Sequence, residues 1–238
     1  MATLAGMVPA RDRCLPVDEA FASMLPDAGL VRGRVVGCTG PAAMSAALAL
    51  ASRSTVTGAW LAAVGVPMLG VEAAVELGVV PTRLVAVGVA GGPAAWAERI
   101  AAAADGFDLI LTRPPAGAER TLRRVRQRLQ ARGTVLFAVG PADPGVSCDI
   151  EFVTTPIEWA GLGEGHGVVT GRRVRVELCG RRIPRPIERQ LWLPGPDGRV
   201  ATVDTTVDTT VDSTIHADRH HLVGPDVPVG ELALGRAG

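Results

Sequence analysis

Apolar residues occur along the chain in short blocks, and the spacing within each block predicts its element. Turn residues at 25–30 open the ordered part, and residues 34–36 read as a short strand. Residues 42–52, rich in strong helix formers, read as a helix. Residues 59–64 form a continuous apolar run between Gly58 and Gly65, the pattern of a buried parallel strand. Helical spacing at 72–77 leads to a third strand at 84–89, and a helix at 93–104 ends on Asp105-Gly106. A fourth strand at 108–111, a basic amphipathic helix at 118–132 and a fifth strand at 134–139 complete the alternation.

Strands alternating with helices of about ten to fifteen residues indicate a doubly wound α/β fold with a mostly parallel sheet. After the turn at 140–145 the pattern changes to segments at 150–154, 167–169 and 174–178 joined by short turns. Those predict an antiparallel extension, with 191–193 as an edge strand. The repeat VDTTVDTTVDST at 203–214 changes it again. Its aspartates Asp204, Asp208 and Asp212 would repel on one helical face, so residues 199–238 read as a low-complexity, disordered tail. The expected organisation is an N-terminal extension at 1–24, one domain at 25–198 and that tail.

The phosphate-loop position is the first candidate for chemistry. Residues 37–48, GCTGPAAMSAAL, run from strand through a Gly-Pro turn into a helix, where free amides and a helix dipole meet an anion. Laying G-x-x-x-x-G-K-[ST] over Gly40 puts Ser45 on the second glycine, Ala46 on the lysine and Ala47 on the hydroxyl. All 24 basic residues are arginine, so no lysine elsewhere can reach a phosphate or form a Schiff base. No catalytic residue and no cofactor is expected. Formal net charge is zero, so no global field draws the chain to nucleic acid or anionic membrane.

The cysteines at 14, 38, 148 and 179 form no CxxC pair, which argues against zinc and a disulfide framework. His216, His220 and His221 read as a solvated cluster in the tail, and the aspartate repeat lacks the alternate-residue ligands of a calcium loop. No metal is expected. The start of the chain lacks a signal-peptide pattern, and the apolar window at 59–80 contains Pro67, Glu72 and Glu76 and fails as a membrane span. A cytoplasmic protein is expected.

LPDAGLVRGRVVGCTGP at 25–41 resembles the opening of the RecA core, where a strand runs into the Gly-Pro of the nucleotide loop. VEAAVELGVVPTRLV at 71–85, FDLILTRP at 107–114, and CDIEF followed by GEGHG and RRVRVEL extend the resemblance over residues 25–198. Within that RecA/SulA-like superfamily the chain is similar to the ImuA group, in its shortened ImuA-prime form. The resemblance implies a degenerate RecA-like P-loop NTPase core serving the DNA damage response, SOS mutagenesis and translesion synthesis. It would dock to a Y-family polymerase homologue (ImuB-like) and an error-prone replicative-type polymerase, becoming nucleoid-associated when engaged. By the same alignment Arg113 replaces the acidic residue that would hold magnesium. Two further readings stay open: an ATP-dependent RecA paralogue acting on DNA, and a SulA-like inhibitor of cell division.

The arginines are the remaining candidates. Arg120, Arg123, Arg124, Arg126, Arg128 and Arg132 surround an apolar stripe of Leu122, Val125 and Leu129, giving either a solvated helix face or a weak DNA or acidic-partner contact. Arg172, Arg173 and Arg175 on a hairpin, then Arg181, Arg182, Arg185 and Arg189 with Trp192, form a second candidate docking segment.

Overall fold

In a computed structural model the structure describes residues 13–162 and 167–203. The chain divides into units at residues 1–203 and 204–238, so the expectations for the aspartate repeat and for His216, His220 and His221 lie outside the described residues. So does His166.

Strand β1 (Cys14–Pro16) pairs antiparallel with β2 (Gly29–Val31), with the short helix α1 (Glu19–Ala22) between them. The main sheet is built from β3 (Val35–Thr39), β4 (Leu61–Val64), β5 (Leu84–Val87), β6 (Leu109–Thr112) and β7 (Val135–Gly140). It continues through β8 (Ile150–Leu162), β9 (Gly167–Cys179), β10 (Ile187–Trp192) and β11 (Ala201–Thr202). Strand order is β11-β10-β9-β8-β3-β7-β6-β4-β5, parallel from β8 to β5 and antiparallel from β8 to β11. Helices α2 (Ala43–Val56), α3 (Val71–Glu76), α4 (Pro93–Ala103) and α5 (Ala118–Arg132) make the crossovers.

The central strands are continuous apolar runs because both sheet faces are covered. On β7, Val135, Phe137 and Val139 enter a core with α1, α2 and α3, while Leu136 and Ala138 enter a second core with α4 and α5. Leu122, Val125 and Leu129 of α5 are buried, as the stripe predicts.

The sequence expectations fail in three places, each time where pairing between distant residues overrides local turn signals. The expected break at 170–173 is absent: β9 runs unbroken because its partner β8 is equally long, pairing Ala160 with Gly171 and Trp159 with Arg172. Residues 191–193 are not the edge, because β11 pairs outside β10. Order begins ahead of residue 25: Phe21 of α1 is fully buried and meets Phe152 edge-on at 5.8 Å.

Candidate functional site

The Gly-Pro turn lies between β3 and α2, at the C-terminal ends of the parallel strands, where open α/β sheets bind ligands. The turn is already filled. Gly40 adopts φ +90°, and a Cβ there would stand 2.0 Å from the Thr154 carbonyl oxygen of β8. Glycine is required both for the backbone angle and for this approach. The Thr154 hydroxyl donates to the Thr39 carbonyl at 2.7 Å and accepts from the Ala42 amide at 3.1 Å. The Gly40 amide donates to the Pro141 carbonyl at 3.0 Å, and the Ala43 amide donates back to the Gly40 carbonyl. Two amides that a phosphate would need are thus spent on β8 and on the turn after β7. The helix has begun by Ala43, which leaves a tight turn rather than a loop wide enough to wrap an anion.

Each expected loop residue has a definite place. Ala46 and Ala47 are buried in the core beneath the sheet. Ser45 accepts a hydrogen bond at 3.0 Å from Arg172, whose Nε donates to the Leu193 carbonyl at 2.9 Å and whose guanidinium stacks 5.1 Å over Trp159. Arg172 is only 8% exposed, so it is a structural strut between α2 and the hairpin and is removed from the candidate binding surface. Burial lowers its pKa.

Arg113 is exposed and shares a cavity of about 320 Å³ with Gly40, Pro41, Ala43, Met44, Val139 and Pro141. No carboxylate or side-chain hydroxyl lines that cavity, so these residues do not fit a magnesium–nucleotide complex. Among the described residues no cluster of three or more His, Cys, Asp or Glu could hold a metal, and no helix is long and apolar enough to cross a membrane.

The structure separates the arginines on α5 into two groups. Arg128 and Arg132 both pair with Asp105, and Arg126 pairs with Asp149 at 3.3 Å. Arg120, Arg123 and Arg124 are exposed and form no ion pair among the described residues, so the unneutralised charge sits on the N-terminal half of the helix. In the second segment Arg173 pairs with Glu158 at 2.8 Å and Arg175 with Glu188 at 3.1 Å. Arg181 bonds the Ser147 hydroxyl, Arg182 lies 3.5 Å from Asp149, and Arg189 donates to the Glu188 carbonyl. Arg185 is exposed and Trp192 half-buried.

Residues 23–145 match the family model of the MT3502 N-terminal domain, just over half of the 238-residue chain. The chain belongs to the MT3502 N-terminal domain family. This family member has no match among curated proteins. Its fold is shared with the crystal structure of the RadB recombinase, at a TM-score of 0.58 and 13% identity, covering 78% of this chain and 97% of that one. The core of this family member is therefore RecA-like: an α/β sheet, mostly parallel, with an antiparallel extension.

The sequence reading did not single out Thr154, Asp149, Arg34 or Arg13. Thr154 has no local signal, because its function depends on a pairing 115 residues away in the chain.

Proposed function

We propose that this chain is a non-catalytic RecA-like adaptor in which the nucleotide turn has become a structural joint. The observation that carries this reading is the Thr154 clamp, which occupies the Ala42 amide and closes on Gly40. Phosphoryl transfer depends on positioned cations and a metal ion. Supporting the same reading, the cavity at the turn is lined by Arg113 and by no carboxylate, and the chain has no lysine.

From the ImuA-prime resemblance, the adaptor serves DNA-damage-induced mutagenesis and translesion synthesis, joining a Y-family polymerase homologue to an error-prone replicative-type polymerase. Any direct DNA contact runs through Arg120, Arg123 and Arg124, the unpaired cations of α5.

Equilibrium binding of a fluorescent ATP analogue with magnesium tests the loss of nucleotide use. No saturable binding below about millimolar concentration is expected, equivalent to less than about 4 kcal/mol. Micromolar affinity would instead support an ATP-dependent RecA paralogue. Co-purification from cells after DNA damage tests the partners, with a polymerase homologue expected. Recovery of a tubulin-like division protein would redirect the assignment to a SulA-like inhibitor.

A further inference from the structure

A second cavity, of about 430 Å³, opens at the other end of β3 from the Gly40 turn. Its volume is in the range of small-ligand and peptide-side-chain pockets. It is lined by Arg34, immediately before β3, by Asp149, immediately before β8, and by Arg182 and Ile183 from the turn after β9. Arg13 and Val31 line it as well.

The charges here do not balance. Asp149 has three guanidinium neighbours, Arg126 at 3.3 Å, Arg182 at 3.5 Å and Arg34 at 3.6 Å. Three guanidinium groups, Arg13, Arg34 and Arg182, line the cavity against two carboxylates, Asp27 and Asp149. Asp149 is committed already: its Oδ2 accepts the Val35 amide at 2.9 Å and its own amide donates to the Val35 carbonyl at 2.8 Å. Arg126 completes its set. Arg34 and Arg182 stand too far from it for good hydrogen bonds, and neither they nor Arg13 donates a side-chain hydrogen bond to any of the described residues. Each guanidinium carries five N–H donors in a planar fork suited to carboxylate. The cavity therefore carries guanidinium donors left unused among the described residues, with one more cation than carboxylate in its lining.

Its scaffold is fixed before any ligand arrives. Ser147, two residues before Asp149, is held through its amide by Glu119 at 2.6 Å, through its carbonyl by Arg126 and through its hydroxyl by Arg181. The uncharged lining is Cys14 with the aliphatic Pro26, Val31, Ile150 and Ile183. No aromatic side chain lines the cavity, so it offers no stacking platform for a nucleobase. An anion attached to an aliphatic body fits better than a nucleotide.

We propose that this cavity binds an acidic-aliphatic peptide segment of another protein. Its carboxylate is held by Arg13, Arg34 and Arg182, and its neighbouring aliphatic side chain sits against Val31, Ile150 and Ile183. The inference rests on the adaptor reading only for the partner's place in the cell. A synthetic peptide tests it without reference to ATP or to any polymerase.

The full-length protein would be probed with an array of octapeptides composed of Asp, Glu, Leu and Val, beside counterparts carrying Asn and Gln. The strongest binders would then be titrated by fluorescence polarisation. Acidic peptides are expected to bind and their amide counterparts not, with binding weakened as salt rises to about 0.5 M. Arg13→Ala combined with Arg182→Ala should weaken binding at least ten-fold and leave the chain folded, because Arg13 is exposed and the Arg182 side chain is 55% exposed, so solvent screens its share in stabilising Asp149. Arg99→Ala, on α4 and away from the cavity, should leave it unchanged. No acidic peptide binding, equal binding of the amide counterparts, or full affinity in the double variant would each overturn the proposal. Displacement by inorganic phosphate at concentrations matching the peptide would also overturn it, reassigning the cavity to a small anion.

Discussion

Gly40 and Thr154 concentrate at one contact what distinguishes this chain from a working nucleotide loop. Gly40→Ala forces a methyl group to 2.0 Å from a backbone oxygen at a positive φ, so a loss of about 3 kcal/mol or more is expected in urea unfolding. Thr154→Val keeps the shape but leaves the Ala42 amide without its partner, for an expected loss of about 1–3 kcal/mol. Asp149 makes stability depend on pH. Burial alone would raise its pKa, but the Val35 amide and the guanidinium groups of Arg126, Arg34 and Arg182 outweigh it and hold the carboxyl below its usual value. Its contribution is fully present above the unfolded-state pKa of about 3.9 and is lost as pH falls through the lower folded value. Asp149→Asn should therefore be less stable than wild type at pH 7, with the difference shrinking in acid, as urea midpoints at pH 7 and about pH 3 would show. Cys148 is pushed up to about 12, chiefly by burial and then by Glu151, so iodoacetamide at about pH 8 should leave it unlabelled in the native protein.

At the level of elements, α5 shows how far sequence periodicity reaches. The expected range 118–132 and the buried stripe both match the structure, because a single helix carries its apolar spacing within itself. Periodicity could not tell which of its arginines are neutralised, since Asp105 and Asp149 arrive from other elements. This sharpens a prediction. If α5 contacts DNA, reversing Arg120, Arg123 and Arg124 to Glu should abolish binding and flatten its salt dependence. Reversing Arg128 and Arg132 should instead cost stability by repelling Asp105, a difference that electrophoretic mobility shift and thermal melting separate. The β8–β9 hairpin shows the opposite case. Its polar Thr170-Gly171-Arg172-Arg173 looks like a turn, yet the long partner strand keeps it extended.

For the whole molecule, the RecA-like sheet follows from helices covering both faces of apolar strands, and the cores on its two faces share no side chains. The sheet continues past residue 198, because Val200 is buried and Ala201–Thr202 pairs with β10. A chain ending at 198 should melt at lower temperature than one ending at 203, which keeps both. Partner capture by the two truncations would then separate loss of fold from loss of a docking segment.

By itself the sequence determined the fold class, most element positions and the missing lysine, because each is written in local spacing or in composition. Tertiary structure decided what those residues do. Only the pairing of β8 beside β3, with β9 beside β8, brings Thr154 onto Gly40, Arg172 onto Ser45 and Asp149 onto Val35. Contacts across more than a hundred positions leave no periodic trace in the chain, since nothing local requires one residue to anticipate another so distant.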